Sequence, residues 1–187
     1  MNVFISNSGL ASKPFLDRIS VVHGDIAAQD TDAIAIVIPK DLRFQGGINT
    51  SVQEAAGYDV EQFIHNHINK PKIGEVYALP ADGLPTRHIL VGVMPYYRTE
   101  FDMSESHLSG VTRGIMELAR CMLLGSIAFA PIGSGKGNFP KVKAARLVCK
   151  GITDRMHENI EDIRIVCKDP QRTDVFKQKL EVLGWEG

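Results

Sequence analysis

Residues 32–38, DAIAIVI, form a run that is nearly all apolar and rich in β-branched side chains, and it closes on Pro39. A strand with one wet face alternates apolar and polar residues. A continuous apolar run instead fits a strand covered on both faces, which requires helices above and below the sheet. Similar runs recur at residues 75–79 (EVYAL), 88–94 (HILVGVM), 126–130 (SIAFA) and 163–167 (IRIVC), and residues 18–23 read as a further short strand. Segments with helical spacing fall at residues 49–56, 59–68, 105–123, 141–156 and 173–183. In the third of these, Leu108, Val111, Ile115, Leu118, Ala119 and Met122 recur at intervals that make one buried stripe. In the last, Thr173 is the expected N-cap and Gly184 the expected stop. Buried strands alternating with amphipathic helices predict a three-layer α/β/α sandwich around a mixed, largely parallel sheet of six strands or slightly more. A chain of 187 residues with 44% hydrophobic content suits a single domain spanning residues 1–187.

The net charge of −1 provides no basic field for duplex nucleic acid, so any anion must be met by local geometry. The N-terminus lacks a basic start followed by an apolar run, and no window approaches the roughly 18 apolar residues of a spanning helix, which points to the cytoplasm and away from a membrane. Cys121, Cys149 and Cys167 lack paired zinc spacing and are expected to be buried, reduced thiols. His65 and His67, two apart on a helix, do not share a face, so no metal is expected. His23 reads as a strand-end histidine packed at the sheet edge.

Two glycine-bearing loops leave the carboxyl ends of predicted strands and enter predicted helices: residues 39–49 (PKDLRFQGGIN) and residues 129–140 (FAPIGSGKGNFP). Such loops let backbone N–H groups and the positive end of a helix approach an anion. GSGKG in the second is not a triphosphate P-loop. Ala130 stands where the motif needs its first glycine, and Gly137 stands where it needs the magnesium-binding hydroxyl. Gly133-Ser134-Gly135-Lys136-Gly137 reads G-x-G-x-G, not the G-x-G-x-x-G of a dinucleotide fingerprint, and it sits late in the chain.

Gly24-Asp25-Ile26, Asp32-Ala33-Ile34, Gly46-Gly47-Ile48, Ala55-Ala56-Gly57, Val93-Met94-Pro95 and FAPIGSGKGNFP occur in the order of the motifs of macrodomains, the ADP-ribose-binding α/β/α modules. The chain resembles that family over roughly residues 18–168. The resemblance implies that Asp25 accepts a hydrogen bond from the adenine amino group with help from the Ile26 backbone. Gly46, Gly47 and Ile48, with Asn49 beside them, would wrap the phosphate nearer the adenosine. Ser134, Gly135, Lys136, Gly137, Asn138 and Phe139 would cover the diphosphate and second ribose. The residues alone also allow a cap or turn role for Asp25 and plain turn roles for the glycines.

The family's NAAN motif falls on Ile36-Val37-Ile38-Pro39, so proline replaces the asparagine that holds the distal ribose in hydrolytic members. The family aromatic of the late loop falls on Gly137, with Asn138 after it. Lys40, Asp41 and Asn49 are polar groups of the first loop that could substitute, and no catalytic residue is assigned. Tyr96, Tyr97 and Arg98 follow Pro95 on the same rim, where the rings could stack on a base or ribose and Arg98 could meet a phosphate. The expectation is binding of ADP-ribose, a related adenine nucleotide diphosphate or an ADP-ribosylated protein, with no cofactor and without efficient turnover. The alternatives are an ADP-ribosyl hydrolase or ADP-ribose-1''-phosphate phosphatase with a rearranged distal site, and a degenerate macrodomain used for protein interaction. The sequence leaves the oligomeric state open.

Overall fold

The computed structural model describes residues 13–96, 101–134 and 139–187, with the backbone alone for 101–104. In chain order the elements are β1 (Ile19–His23), β2 (Ala33–Pro39), α1 (Gly47–Ala55), α2 (Val60–His67), β3 (Val76–Pro80), β4 (His88–Met94), α3 (Phe101–Cys121), β5 (Ser126–Phe129), α4 (Lys141–Thr153), β6 (Asp162–Cys167) and α5 (Pro170–Val182). The expected strands all form, and they make one sheet in the order β1-β6-β5-β2-β4-β3. Every neighbouring pair is parallel except β3 with β4.

The apolar run of β2 lies at the centre of this sheet. Ala33, Ile34, Ala35 and Ile36 point alternately to the two faces and are all 0% exposed, so both faces are covered there. From α1 and α2, Val52, Val60 and Ile64 join the core, and from α3 the stripe of Leu108, Val111, Ile115 and Ala119 does the same. Leu118 and Met122 of the predicted stripe are only partly buried at its margin. The helices α3, α4 and α5 pack in series, with α3 against β3 and β4 and α5 against β1 and β6. Trp185, past the end of α5, donates its indole N–H to the Ile19 carbonyl at 2.8 Å and ties the tail to the edge strand β1.

One feature of register shapes the molecule. Pairing of β2 with β4 runs the whole way from Ala33↔His88 to Pro39↔Met94. Pairing of β2 with β5 stops at Ala35↔Phe129, with one further bond from the Ala130 N–H to the Ala35 carbonyl. The last part of β2 therefore has a neighbour on the β4 side only, and the sheet is notched at its carboxyl rim. Pro39 sits at the very end of the strand, where a residue without an N–H is tolerated.

Two expectations are corrected. Helix α5 starts at Pro170, and its N-cap is Asp169, whose carboxylate accepts the Arg172 N–H at 2.7 Å. Thr173 lies inside the first turn and donates its hydroxyl to the Asp169 carbonyl at 3.0 Å. Asp-Pro wins because the carboxylate caps the orphan N–H groups while proline at the first helical position gives up an N–H that had no partner. Cys149 and Cys167 are buried, but Cys121 is exposed, because it lies at the end of α3 on the side away from the stripe. Gly184 does end α5, with φ at 102° and its N–H on the Glu181 carbonyl.

Candidate functional site

The notch beside β2 is the floor of a cavity of about 360 Å³. Val37 and Pro39 from the end of β2 that β5 leaves uncovered, Met94, Pro95 and Tyr96 from the end of β4, and Pro131, Ile132 and Gly133 from the loop after β5 line it. Gly46, Gly47, Ile48 and Asn49 close one side at the start of α1, and Phe139 and Arg172 close another. This is the carboxyl end of a parallel sheet, where open α/β sheets place their ligands.

The loop after β2 makes its approach through Gly46, whose φ of 101° lies where side chains are strained. Gly46 is the N-cap of α1, and no side chain caps that helix. The N–H groups of a first helical turn have no intrahelical partner, so this end presents donors and the positive pole of the helix to the cavity. Asn49 is buried and donates its amide to the Val37 carbonyl at 3.1 Å, which pins α1 to the part of β2 that extends beyond β5. In the second loop Gly133 has φ at 84°, and an added Cβ would stand 2.7 Å from Leu108 Cδ2. The Ser134 hydroxyl donates to the Pro131 carbonyl at 2.7 Å, and the Phe139 N–H to the Gly133 carbonyl at 3.2 Å, so the two ends of this loop are tied together.

The charged groups lining the cavity are Arg43 and Arg172, and no carboxylate or imidazole joins them among the described residues. Arg43 is mostly exposed and pairs with Asp41 at 3.3 Å. Arg172 is held more firmly. One terminal nitrogen lies 3.3 Å from the Asp169 carboxylate and the other donates to the Ser134 carbonyl at 3.1 Å.

Of the residues expected from the sequence, Gly46, Gly47, Ile48, Asn49 and Phe139 line this cavity, and Ser134 stands behind it. Asp25 and Ile26 do not line it. They lie past the end of β1, on the same rim. There the Asp25 carboxylate accepts the Ala27 N–H at 3.0 Å and caps a short turn, while Ile26 is buried. The Lys168 ammonium sits 3.7 Å from the other Asp25 oxygen and donates to Ser51 of α1 at 2.7 Å, so one cation links the Asp25 corner to the helix that walls the cavity. Gly135, Lys136, Gly137 and Asn138 lie outside the described residues, as do Tyr97 and Arg98. His23 is at the edge strand as expected, with Nε2 2.8 Å from the Lys168 carbonyl. His65 and His67 part company: His65 is 4.0 Å from Glu61, while His67 stacks on Phe63.

Sequence reasoning missed Arg172 and Lys168. Both follow β6, whose carboxyl end must share the rim if it is parallel to β5, so the available signal was position after a strand.

Three comparisons bear on this arrangement. The family model of the Macro domain matches residues 39–148. A macro domain-containing protein of Listeria monocytogenes serotype 4b is 30% identical over 168 residues, which cover 86% of this chain and 96% of the relative. A protein of Escherichia fergusonii named O-acetyl-ADP-ribose deacetylase is 27% identical, over 90% of this chain and 98% of the relative. Among solved structures, a variant of the Oceanobacillus iheyensis macrodomain with ADPR superposes with a TM-score of 0.81 at 26% identity, covering 88% of this chain and 92% of that one. The same macrodomain with ADP gives 0.79 at 26% identity, over 88% of this chain and 90% of that one. The family match over more than half of the chain, with the Listeria relative beside it, shows that the chain belongs to the Macro domain family.

Proposed function

We propose that the chain binds ADP-ribose, or a related adenine nucleotide diphosphate, across the two glycine loops and does not turn it over efficiently. The observation that carries this reading is the composition of the cavity: an uncapped helix start and two arginines face it, with no general base among its described lining residues. The helix start and the arginines suit an anion, and weak turnover is the reading that a described lining without a general base supports. The volume falls in the ordinary range for small-molecule pockets. The solved Oceanobacillus relatives with ADPR and ADP support the ligand class.

Asp25 would read the adenine amino group with the carboxylate oxygen that faces Lys168, since the other oxygen is committed to the Ala27 N–H. Placing Asp25 at the rim and the arginines in the cavity orients the nucleotide, with its base toward β1 and its diphosphate over the helix start. Pro39, at the deep end of the notch, offers the distal ribose a flat apolar surface in place of the amide that the hydrolytic members present. That departure, with Gly137 and Asn138 in the second loop, is the proposed reason for weak turnover.

A second reading, a deacetylase acting on O-acetyl-ADP-ribose, is favoured by the relatives that carry that name and span nearly the whole chain. Calorimetry with ADP-ribose, AMP and ATP tests the first. Saturable heat with ADP-ribose, and a loss of about tenfold in affinity for Asp25→Ala, is the expected result; absence of heat with all three ligands refutes nucleotide binding. Following free ADP-ribose after mixing with the O-acetyl ester tests the second, and multiple turnovers per protein would establish it.

A further inference from the structure

Arg172 is the cavity's least explained group. It belongs to the first turn of α5, beyond the residues matched by the family model. Its side chain is 26% exposed, yet its Nε is fully buried and has no hydrogen-bond partner among the described residues. A guanidinium carries five N–H donors in a planar fork and cannot shed its proton. Here Asp169 and the Ser134 carbonyl occupy the two terminal nitrogens once each, and donor capacity remains on the fork.

Leaving a buried charged donor unmatched costs free energy, so a guanidinium held in this way calls for an explanation, and its place in the lining of the cavity supplies one. The supports around Arg172 fix the fork rather than satisfy it. Asp169 uses one carboxylate oxygen to cap α5 on the Arg172 N–H and the other to approach the guanidinium, so the cap and the side chain are oriented by the same residue. On the opposite side the carbonyl that receives the guanidinium belongs to Ser134, whose own hydroxyl is tied back to Pro131 within the loop that lines the cavity.

We propose that Arg172 is a further ligand-binding residue of this cavity, which takes a phosphate oxygen of a diphosphate ligand through the remaining N–H groups of its two terminal nitrogens and couples the start of α5 to the loop after β5. A planar fork suits a phosphate better than a point charge, because two parallel N–H bonds fix the phosphate's orientation as well as its charge. The site then selects diphosphates over ligands that carry only a base and a sugar. This inference takes the identity of the nucleotide from the preceding reading, and the anionic character of the ligand from Arg172 itself.

The test measures the affinity of the full chain and of Arg172→Gln for ADP-ribose, inorganic pyrophosphate and adenosine, at two salt concentrations, with melting temperatures for each variant. Arg172→Gln is expected to weaken ADP-ribose and pyrophosphate at least about tenfold and to flatten the salt dependence, with adenosine unchanged. Arg172→Lys, which keeps the charge and the Asp169 pairing but loses the fork, is expected to weaken the two phosphate ligands by a smaller factor. It decides the question if the glutamine variant does not fold. Either variant binding ADP-ribose as tightly as the parent overturns the role of Arg172 and leaves nucleotide binding intact. A parent that takes pyrophosphate but not ADP-ribose, with the pyrophosphate lost in Arg172→Gln, refutes the nucleotide and retains the arginine. A parent that takes none of the three refutes both.

Discussion

Pro39 ends β2 where β4 alone accompanies it, and its ring lines the cavity on the side that β5 leaves open. If this ring is what keeps the site from turning over its ligand, Pro39→Asn is expected to raise the rate of O-acetyl-ADP-ribose hydrolysis while ADP-ribose affinity changes less than tenfold. A rate assay beside a calorimetric titration reads both, and an unchanged rate with intact binding would assign the weak turnover elsewhere. Gly133 makes the opposite kind of demand. At φ 84° and with Leu108 2.7 Å from any added Cβ, Gly133→Ala strains the backbone and crowds α3 together. Stability is expected to fall by about 1–3 kcal/mol, and denaturant titration measures it. Glycine was legible as a loop former, but the reason it is needed here was not: the conflict is with a side chain of a helix that precedes it by two dozen positions in the chain.

At the scale of elements, the central strands were legible because a buried parallel strand leaves no room for polar alternation, while the edge strands β1 and β3 were read from short runs with β-branched residues between turns. The helix ends were less so. Thr173 and Asp169 are both good caps, and the choice turned on Pro170, whose lack of an N–H suits the first helical position and no other. The turn from α4 into β6 contains His157, which is partly buried with neither ring nitrogen hydrogen-bonded to any described residue. Burial first, and then the Arg120 and Arg18 charges, hold its pKa below the ordinary 6.5, against an opposing pull from Glu117. The sign follows from linkage. The unfolded chain takes up a proton on this ring at a higher pH than the folded chain does, so stability is lost as pH falls from about 6.5 toward the lower folded value. Melting temperatures recorded through that window are expected to drop with acid in the parent and to drop less in His157→Gln.

For the whole molecule, the odd cysteine count hid two different environments. Burial pushes the Cys149 thiol up to about 12 and the Cys167 thiol up to about 11, which keeps both protonated at neutral pH, while Cys121 is exposed at the end of α3. Alkylation of the native protein followed by mass spectrometry is expected to label Cys121 alone and to add the other two only in denaturant. The candidate site was half legible for a similar reason. Its glycine loops announce themselves locally, whereas Arg172 and Lys168 reach the rim only because β6 lies between β1 and β5, a neighbour relation that the order of residues does not state.

The short pairing between β2 and β5 has a mechanical consequence. Three paired residues, Ala33, Ala35 and Ile34 between them, carry the hydrogen-bonded seam that joins the group β1-β6-β5 to the group β2-β4-β3. A ligand held by the loop after β2 on one side and by the loop after β5 on the other spans that seam beyond the point where its hydrogen bonds stop. Bound as proposed, it would serve as a removable clasp, and the two halves of the sheet would part less readily when it is fastened.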